Sequence, residues 1–215
     1  MSKRVIAIKG VPPELYHKVK EKAIEMGIPI GKAVTEALEL WLNTIANKKV
    51  ESYRQQVLEH IDKVIRVKWY EARNRIFLKI YRRIVNEGRK CLIDTDVLNN
   101  FLYNNDYACS IIIRDLLLGK VDFILSILSL IKILENSRRR ELAEKLAFSL
   151  PPHKIALIDW KVLVKAIELI DEVSHEMDIE HAIIVAQMMI YDVKTIISSD
   201  DYYDKLNLIR IDPLS

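Results

Sequence analysis

The sequence predicts an α/β protein in which a strand and two helices precede one long helix and a parallel β-sheet flanked by helices. From residue 90 onward, short apolar runs alternate with helical stretches, the pattern of parallel strands covered on both faces. Residues 51–86 carry apolar side chains every three to four positions, which indicates a long helix. Residues 3–45 combine an alternating strand with two amphipathic segments. The predicted boundaries are 1–48, 49–88 and 89–215.

Composition is that of a soluble globular protein. Half of the 215 residues are apolar and 29% are charged. No apolar run approaches the roughly 20 residues of a membrane-spanning helix, and the first residues lack the apolar stretch of a signal peptide. We therefore expect a cytoplasmic protein without membrane association or a small-molecule cofactor. Cys91 and Cys109 lack the spacing of a zinc site, so we expect reduced thiols that pack in the core.

Charge is divided unevenly along the chain. The net charge is +3, but residues 1–50 carry +4, residues 51–90 carry +6 and residues 91–215 carry −7. A basic first part favours binding to a polyanion, and an acidic second part favours binding to cations.

Residues 3–45 are too few to bury a core alone. Residues 3–9 (KRVIAIK) alternate like a strand and end at Gly10, and helices follow from about Glu14 to Met26 and from about Gly31 to Ala46. A lone strand leaves both of its edges unpaired. Two chains that pair their strands over four helices remove both problems, so we expect a homodimer.

The stretch IAIKGVPPELYHKVKEKAIEMGIPIGKAVTEALELWL resembles the ribbon-helix-helix family over residues 3–45. In that family, strand side chains enter the DNA major groove and the start of the second helix holds a phosphate. The resemblance implies nucleic-acid contacts at Lys3, Arg4, Lys9, Gly31 and Lys32. Val5 and Ala7, on the strand face of Lys9, offer few hydrogen bonds to base edges. Dimerisation alone is therefore an alternative role for this segment.

Two interpretations of the long helix over 51–86 remain open. Its surface is rich in basic residues interleaved with aromatic ones, namely Arg66, Lys68, Arg73, Arg75, Lys79, Arg82 and Arg83 beside Tyr70, Phe77 and Tyr81. This pattern fits a basic rod that follows a phosphate backbone, with Arg73 and Arg75 among its contacts. It equally fits an amphipathic connector that packs on its twin or on the next domain.

Acidic residues follow two of the predicted strands. The runs 91–94, 121–126, 154–158, 194–198 and 208–211 are the candidate strands. Ligands of parallel sheets gather beyond the carboxyl ends of the strands. That rule selects Asp94 and Asp96 after the first run, and Asp200 and Asp201 after the fourth.

Three segments resemble the PIN domain, a nuclease fold that includes the toxin half of VapBC toxin–antitoxin pairs. They are LIDTDVLNNFL (92–102), ILSLIKILEN (127–136) and IISSDDYYDKLNLIRI (196–211). The resemblance covers about residues 90–213 and implies that Asp94, Glu135 and Asp200 are the catalytic and metal-binding acids. Converging carboxylates repel one another, and Mg²⁺ or Mn²⁺ removes that cost and activates water beside a phosphodiester.

One position departs from that family. In the segment HAIIVA, His181 stands where many PIN domains carry an Asp. His181 is then a fourth candidate metal ligand, and its nitrogen suits Mn²⁺ better than Mg²⁺. Competing interpretations are helix capping for Asp94 and Asp200, and an ordinary solvated position for Glu135.

The sequence therefore predicts a dimeric nucleic-acid-binding protein that acts as a metal-dependent ribonuclease. One alternative is a non-catalytic regulator that binds nucleic acid or ribosomes through a degenerate PIN domain. Another is a transcriptional regulator in which the second part serves only as a dimer or ligand domain. A fused toxin–antitoxin pair also fits this order of domains.

Overall fold

A computed structural model describes residues 10–72, 76–135, 137–172, 177–206 and 208–215. The chain forms two compact units, Met1–Val50 and Glu51–Ser215. The strand predicted over residues 3–9 lies outside the described residues, as do Lys3, Arg4, Lys9, Arg73 and Arg75.

The described chain is mostly helical with one β-sheet. The helices are α1 (Pro13–Glu25), α2 (Ile30–Lys68), α3 (Ile76–Glu87), α4 (Thr95–Asn99), α5 (Tyr107–Leu117), α6 (Ile127–Glu135), α7 (Arg140–Ser149), α8 (Trp160–Glu172) and α9 (Ile179–Ile190). The strands are β1 (Cys91–Ile93), β2 (Phe123–Ser126), β3 (Ile155–Ala156), β4 (Thr195–Ile197) and β5 (Ile209–Ile211). A π turn covers Asn100–Asn104, and 3-10 turns cover Trp69–Ala72, Ser137–Arg139, Pro152–Lys154 and Asp201–Leu206. Among these described helices, none is long and apolar enough to cross a membrane.

The first unit buries very little of its apolar surface. Helix α1 ends where Gly27 adopts a φ of +65°, a conformation that favours glycine. Of the described residues 10–50, only Ala23 is buried. The exposed large side chains include Leu15, Ile24, Met26, Leu38, Trp41, Leu42 and Ile45. The described part of this unit therefore has no core of its own.

Helix α2 is longer than the sequence predicts. We expected one helix to end near Ala46 and another to run over 51–86, but α2 is continuous from Ile30 to Lys68. No glycine or proline lies between residues 32 and 87, so nothing in the backbone stops the helix at residue 46. It ends instead at the 3-10 turn Trp69–Ala72, and α3 follows after residues 73–75.

Residues 51–87 pack into the second unit. Val57 and Ile61 of α2, with Phe77, Tyr81 and Ile84 of α3, belong to its main hydrophobic core. Phe77 and Tyr81 stack with ring centroids 5.3 Å apart, so these two rings are core residues and not part of a basic nucleic-acid surface. Packing against the next domain, one of the two interpretations of this segment, is the one observed for these residues.

The predicted parallel sheet is confirmed. Its strand order is β3-β2-β1-β4-β5, and each neighbouring pair is parallel. Strands β1 and β4 are neighbours near the middle of the sheet, with Ile93 beside Ile197. Parallel neighbours end at the same edge of the sheet, so the residues that follow β1 and β4 lie close together.

Helices cover both faces of the sheet. Alternate strand residues point to opposite faces: Cys91 and Ile93 join the core with α2 to α7, whereas Leu92 joins a second core with α8 and α9. Cys91 and Cys109 are buried free thiols, as the sequence predicts. The helix predicted over 97–118 is divided at Asn105, which has a φ of +47°, and Asp106 then caps α5.

Candidate functional site

The carboxyl edge of β1 and β4 holds an acidic cavity of about 230 Å³. Asp94 directly follows β1, and Asp200 comes three residues after the end of β4. The described residues that line the cavity are Asp94, Thr95, Asp96, Asn99, Leu128, Lys132, Glu180, His181, Ile184, Asp200 and Tyr203. The fold therefore brings together Asp94, Asp200 and His181 of the four predicted metal ligands.

Asp94 is the most buried acid of the cavity, with 8% of its surface exposed. One carboxylate oxygen accepts a hydrogen bond from the Thr95 amide at 2.7 Å and so caps α4, while the other accepts one from Ser198 Oγ at 2.9 Å. The Tyr203 hydroxyl also donates to this carboxylate. Burial, and then the nearby Asp96 carboxylate, raise the pKa of Asp94. Capping and a place in the cavity are therefore compatible for this residue.

Asp96 joins the turn after β1 to the turn after β4. Its Oδ2 atom accepts a hydrogen bond from the Ser199 amide at 2.5 Å and another from the Ser199 hydroxyl. Its Oδ1 atom accepts a hydrogen bond from the Val97 amide at 2.7 Å. The Ser198 hydroxyl makes a second link, since it accepts from the Asp200 amide at 3.0 Å while it donates to Asp94. These hydrogen bonds fix the positions of Asp94 and Asp200 relative to each other at the carboxyl edge of the sheet.

His181 lies between two carboxylates. Its Nε2 atom is 2.9 Å from Oδ2 of Asp200, and its Nδ1 atom is 2.9 Å from Oδ2 of Asp178. Burial lowers the pKa of His181, but the hydrogen bonds to Asp200 and Asp178 outweigh it and raise that pKa above its ordinary value. When the ring is protonated, each of its nitrogens donates to a carboxylate. In this arrangement neither ring nitrogen has a lone pair directed at a metal ion.

Asp200 is held ionised by its neighbours. Burial would raise the pKa of its carboxyl, but the Tyr202 amide and the His181 ring outweigh burial and lower that pKa. The amide of Tyr202 donates to Oδ1 of Asp200 at 2.9 Å, which is the capping contact considered from the sequence.

Lys132 brings a second cation to the cavity. It lines the wall together with Leu128 of α6, and its ammonium group forms an ion pair with the Glu180 carboxylate. Four carboxylates therefore face one ammonium and one imidazolium, so the cavity keeps an excess of negative charge. No motif in the sequence indicates Lys132, which lies four residues after Leu128 and therefore on the same side of α6.

Glu135 is not among the described residues that line the cavity. It ends α6, three residues beyond Lys132, and its side chain is exposed, which matches the solvated position considered for it. Among the described residues, no three His, Cys, Asp or Glu side chains are grouped so that they hold a metal ion by themselves. A Mg²⁺ site commonly uses only one or two carboxylates, with water completing the shell, and Asp94 and Asp200 fit that smaller set.

The first unit holds the remaining described candidates. Gly31 and Lys32 lie in the first turn of α2, and both are exposed. The Gly31 carbonyl accepts from the Thr35 hydroxyl at 2.9 Å, and Lys32 Nζ lies 3.8 Å from Glu36. The Lys32 amide donates to the Pro29 carbonyl at 2.9 Å, so this N–H group already has a partner within the helix start.

Comparisons with known proteins give weak structural likenesses. Neither a family model nor a curated protein sequence matches the chain. A toxin–antitoxin complex from Klebsiella pneumoniae has 13% sequence identity and a TM-score of 0.44, over 57% of this chain and 97% of that one. The structure of VapBC2 from Rickettsia felis bound to a DNA fragment from their promoter has 11% identity and a TM-score of 0.43, over 56% of this chain and 96% of that one.

Proposed function

We propose that the chain is a dimeric nucleic-acid-binding protein whose second unit is a PIN-type, metal-dependent ribonuclease. The observation that carries this proposal is the convergence of Asp94, Asp96, Glu180 and Asp200 on one cavity at the carboxyl edge of a parallel sheet. The excess negative charge repels an RNA phosphate unless a cation lies between them. A divalent cation is therefore the partner that the electrostatics of this cavity favour.

Asp94 and Asp200 would hold Mg²⁺ or Mn²⁺, with water in the other positions. The bound ion would supply Lewis-acid activation of a phosphodiester and a water of lowered pKa. Glu135 is left out of this set because its side chain does not line the cavity. His181 is left out as a direct ligand because both of its ring nitrogens contact carboxylates.

The surrounding side chains position these acids. Ser198 and Tyr203 donate to Asp94, and the His181 ring donates to Asp200, so both carboxylates have fixed orientations. Lys132 is the described cation at the cavity wall whose flexible stem can reach a substrate phosphate. In this proposal Lys132 leaves Glu180 for the phosphate when RNA binds.

A specific observation favours the second candidate, a non-catalytic regulator with a degenerate PIN-type site. His181 contacts the Asp200 carboxylate, and the Lys132 ammonium group forms an ion pair with the Glu180 carboxylate. These two internal cations neutralise part of the charge that a metal ion would otherwise neutralise. In this alternative the acidic cavity is a structural feature, and the protein binds nucleic acid without cutting it.

Dimerisation is proposed for the first unit because its described residues bury almost nothing. Trp41, Leu42 and Leu38 are each about half exposed or more, and apolar surface of this extent is usually covered by a partner. A second copy that packs the helices of its own first unit against these residues would cover it. Lys32 and Gly31 at the start of α2 would then bind phosphate groups of the nucleic acid.

The test is RNA cleavage by the full chain in Mg²⁺, in Mn²⁺ and in excess chelator. Asp94→Asn and Asp200→Asn should each lower cleavage by roughly 100-fold or more, because each removes an anionic oxygen ligand. Asp171→Asn, at an exposed position of α8, is the matched control and should cleave like the wild type. Equal cleavage by wild type and Asp94→Asn would point to a contaminant and reject the enzyme. If the wild type binds RNA but does not cleave it in Mg²⁺, in Mn²⁺ or in excess chelator, the non-catalytic regulator is supported.

A further inference from the structure

A basic groove of about 550 Å³ lies between α2 and the segment that leads into α7. Gln56 and His60 of α2 form one wall, and Arg138, Arg139, Arg140 and Lys145 form the other. All of these residues belong to the second unit. We call this feature the basic groove.

The basic groove carries a concentrated positive charge. Four cationic side chains line it against the single carboxylate of Glu141. Lys145 pairs with Glu141, and Arg140 pairs with Glu144 at 2.9 Å. Exposed ion pairs of this kind are weak, so a phosphate group can replace the carboxylate as partner.

His60 and Arg139 share one hydrogen-bond partner in the groove. Its pKa is lowered by burial, then by the charge of Arg139, and also by that of Lys63. Nε2 of His60 is 3.1 Å from Oδ1 of Asn105, and the same oxygen accepts from Arg139 at 3.0 Å. The guanidinium of Arg139 is thus held by Asn105 and is partly buried, while Arg138 and Arg140 are exposed.

Two aromatic rings, one on each of the helices that border the groove, lie next to each other. Tyr53 lies three residues before Gln56 in α2, and Phe148 lies three residues after Lys145 in α7. Their ring centroids are 6.1 Å apart, and Phe148 is 62% exposed. Basic grooves combined with exposed aromatic rings bind single strands, because phosphates take the charge and unpaired bases stack on the ring.

The groove and the acidic cavity share one structural segment. Asp96 and Asn99 line the cavity. The Asn100 side chain donates to the Asp96 carbonyl at 2.9 Å, and the Asn104 side chain donates to Asn100 at 2.7 Å. Asn105 then contacts the groove through His60 and Arg139. Helix α6 makes a second connection, since Lys132 lines the cavity and Arg138 follows in the next turn of chain.

We propose that the basic groove binds the backbone of single-stranded RNA, with an unpaired base on Phe148, and so leads the strand towards the acidic cavity. This assignment rests on the proposed function for its substrate class. It adds a second site, built from α2 and α7, that determines affinity and a preference for unpaired strands.

The test measures binding and cleavage separately on the full chain. Fluorescence anisotropy with a labelled single-stranded RNA, in excess chelator, gives the affinity at several salt concentrations. The double variant Arg138→Gln/Arg140→Gln should bind roughly tenfold more weakly, and the slope of log affinity against log salt should fall by about 1.4 for two lost phosphate contacts. Phe148→Ala should weaken single-strand binding by about tenfold and leave binding of a duplex of the same sequence unchanged.

Lys161→Gln/Lys165→Gln is the matched control, because it removes the same charge from α8 on the opposite face of the sheet. It should change neither the affinity nor the salt slope by the amount seen in the groove variant. Equal binding by the groove variant and the wild type would overturn the assignment, as would equal losses in the groove variant and the α8 control. The two measurements separate the two proposals. Weaker binding by the groove variants, together with no cleavage even by the wild type, would keep the groove assignment and reject the enzyme.

Discussion

Nε2 of His181 lies 2.9 Å from Oδ2 of Asp200, and the other ring nitrogen lies 2.9 Å from Asp178. An Asp at position 181 would repel the carboxylate of Asp200, whereas a protonated His181 attracts it. The imidazolium ring also contacts Tyr202, at 4.4 Å between ring centroids. When His181 is protonated, its positive charge offsets part of the negative charge of the Asp200 and Asp178 carboxylates.

We expect His181→Asp to convert the cavity into a stronger cation site. The substitution removes one positive charge and adds a negative one beside Asp200 and Asp178, so the ion-free protein should melt at a lower temperature. Added Mn²⁺ or Mg²⁺ should raise its melting temperature more than it raises that of the wild type. Calorimetry with each ion checks the affinity directly. His153→Asp, at an exposed position, is the control; an equal response there would show a general charge effect.

The stability of the folded chain should depend on pH through the protonation of His181. Its pKa in the folded chain lies above the reference value of 6.5. The ion-pair stabilisation is therefore fully present below about pH 6.5 and is lost as the pH rises through the folded-state pKa. Asp200 and Asp178 have lowered pKa values, so their share is lost at acid pH, as they become protonated. The wild type should exceed His181→Gln in urea midpoint most clearly between about pH 4.5 and 6.5.

His60 should give the opposite trend and is the internal comparison. Its pKa in the folded chain is lowered, so the unfolded chain binds more protons below about pH 6.5 and stability falls there. Relative to the wild type, His60→Gln should therefore gain urea resistance as the pH drops. Parallel pH trends for the two variants would contradict these assignments.

The position of the acids could be predicted because it depends on topology. Parallel strands end at one edge, so Asp94 and Asp200 had to lie close together once β1 and β4 were neighbours. The distance between ring and carboxylate could not be predicted in this way: that His181 lies between Asp178 and Asp200 depends on the rotamers of three side chains. Lys132 was missed for a similar reason, since a lysine on an amphipathic helix is usually solvated.

Helix α3 shows a different limit of sequence reasoning. The apolar period over 51–86 places Ile76 and Ile80 in the buried stripe, but both are exposed, and Phe77 and Tyr81 are buried instead. Phe77 and Tyr81 take the buried positions predicted for Ile76 and Ile80, one residue further along the chain, whereas Ile84 is buried as predicted. A periodicity cannot reveal such a shift when aromatic and aliphatic residues alternate on neighbouring stripes.

The first unit should dimerise through its exposed apolar residues. Light scattering of the full chain at micromolar concentration should give about twice the chain mass of 25.1 kDa. Leu38→Asp/Leu42→Asp should give the monomer mass, because charged groups in an apolar interface are costly to desolvate. Asn43→Asp/Asn47→Asp, at two exposed positions in the same helix, adds the same charge and should leave the dimer intact. A monomeric wild type would reject this arrangement.

The hydrogen bond between Tyr81 and Asp115 tests whether α3 is an integral part of the second unit. The Tyr81 hydroxyl donates to the Asp115 carboxylate at 3.0 Å, and both residues are buried. Tyr81→Phe keeps the ring but leaves a buried carboxylate with one donor fewer, which should cost about 1–3 kcal/mol of unfolding free energy. Tyr70→Phe, at an exposed position, should cost less than about 0.5 kcal/mol.

The same packing predicts that a fragment beginning at residue 89 does not fold, because it lacks Phe77 and the α2 residues of the main core. Urea unfolding of the variants and circular dichroism of the fragment are the measurements. A cooperatively folded fragment, or equal stability of the two tyrosine variants, would show that residues 51–87 form a detachable connector.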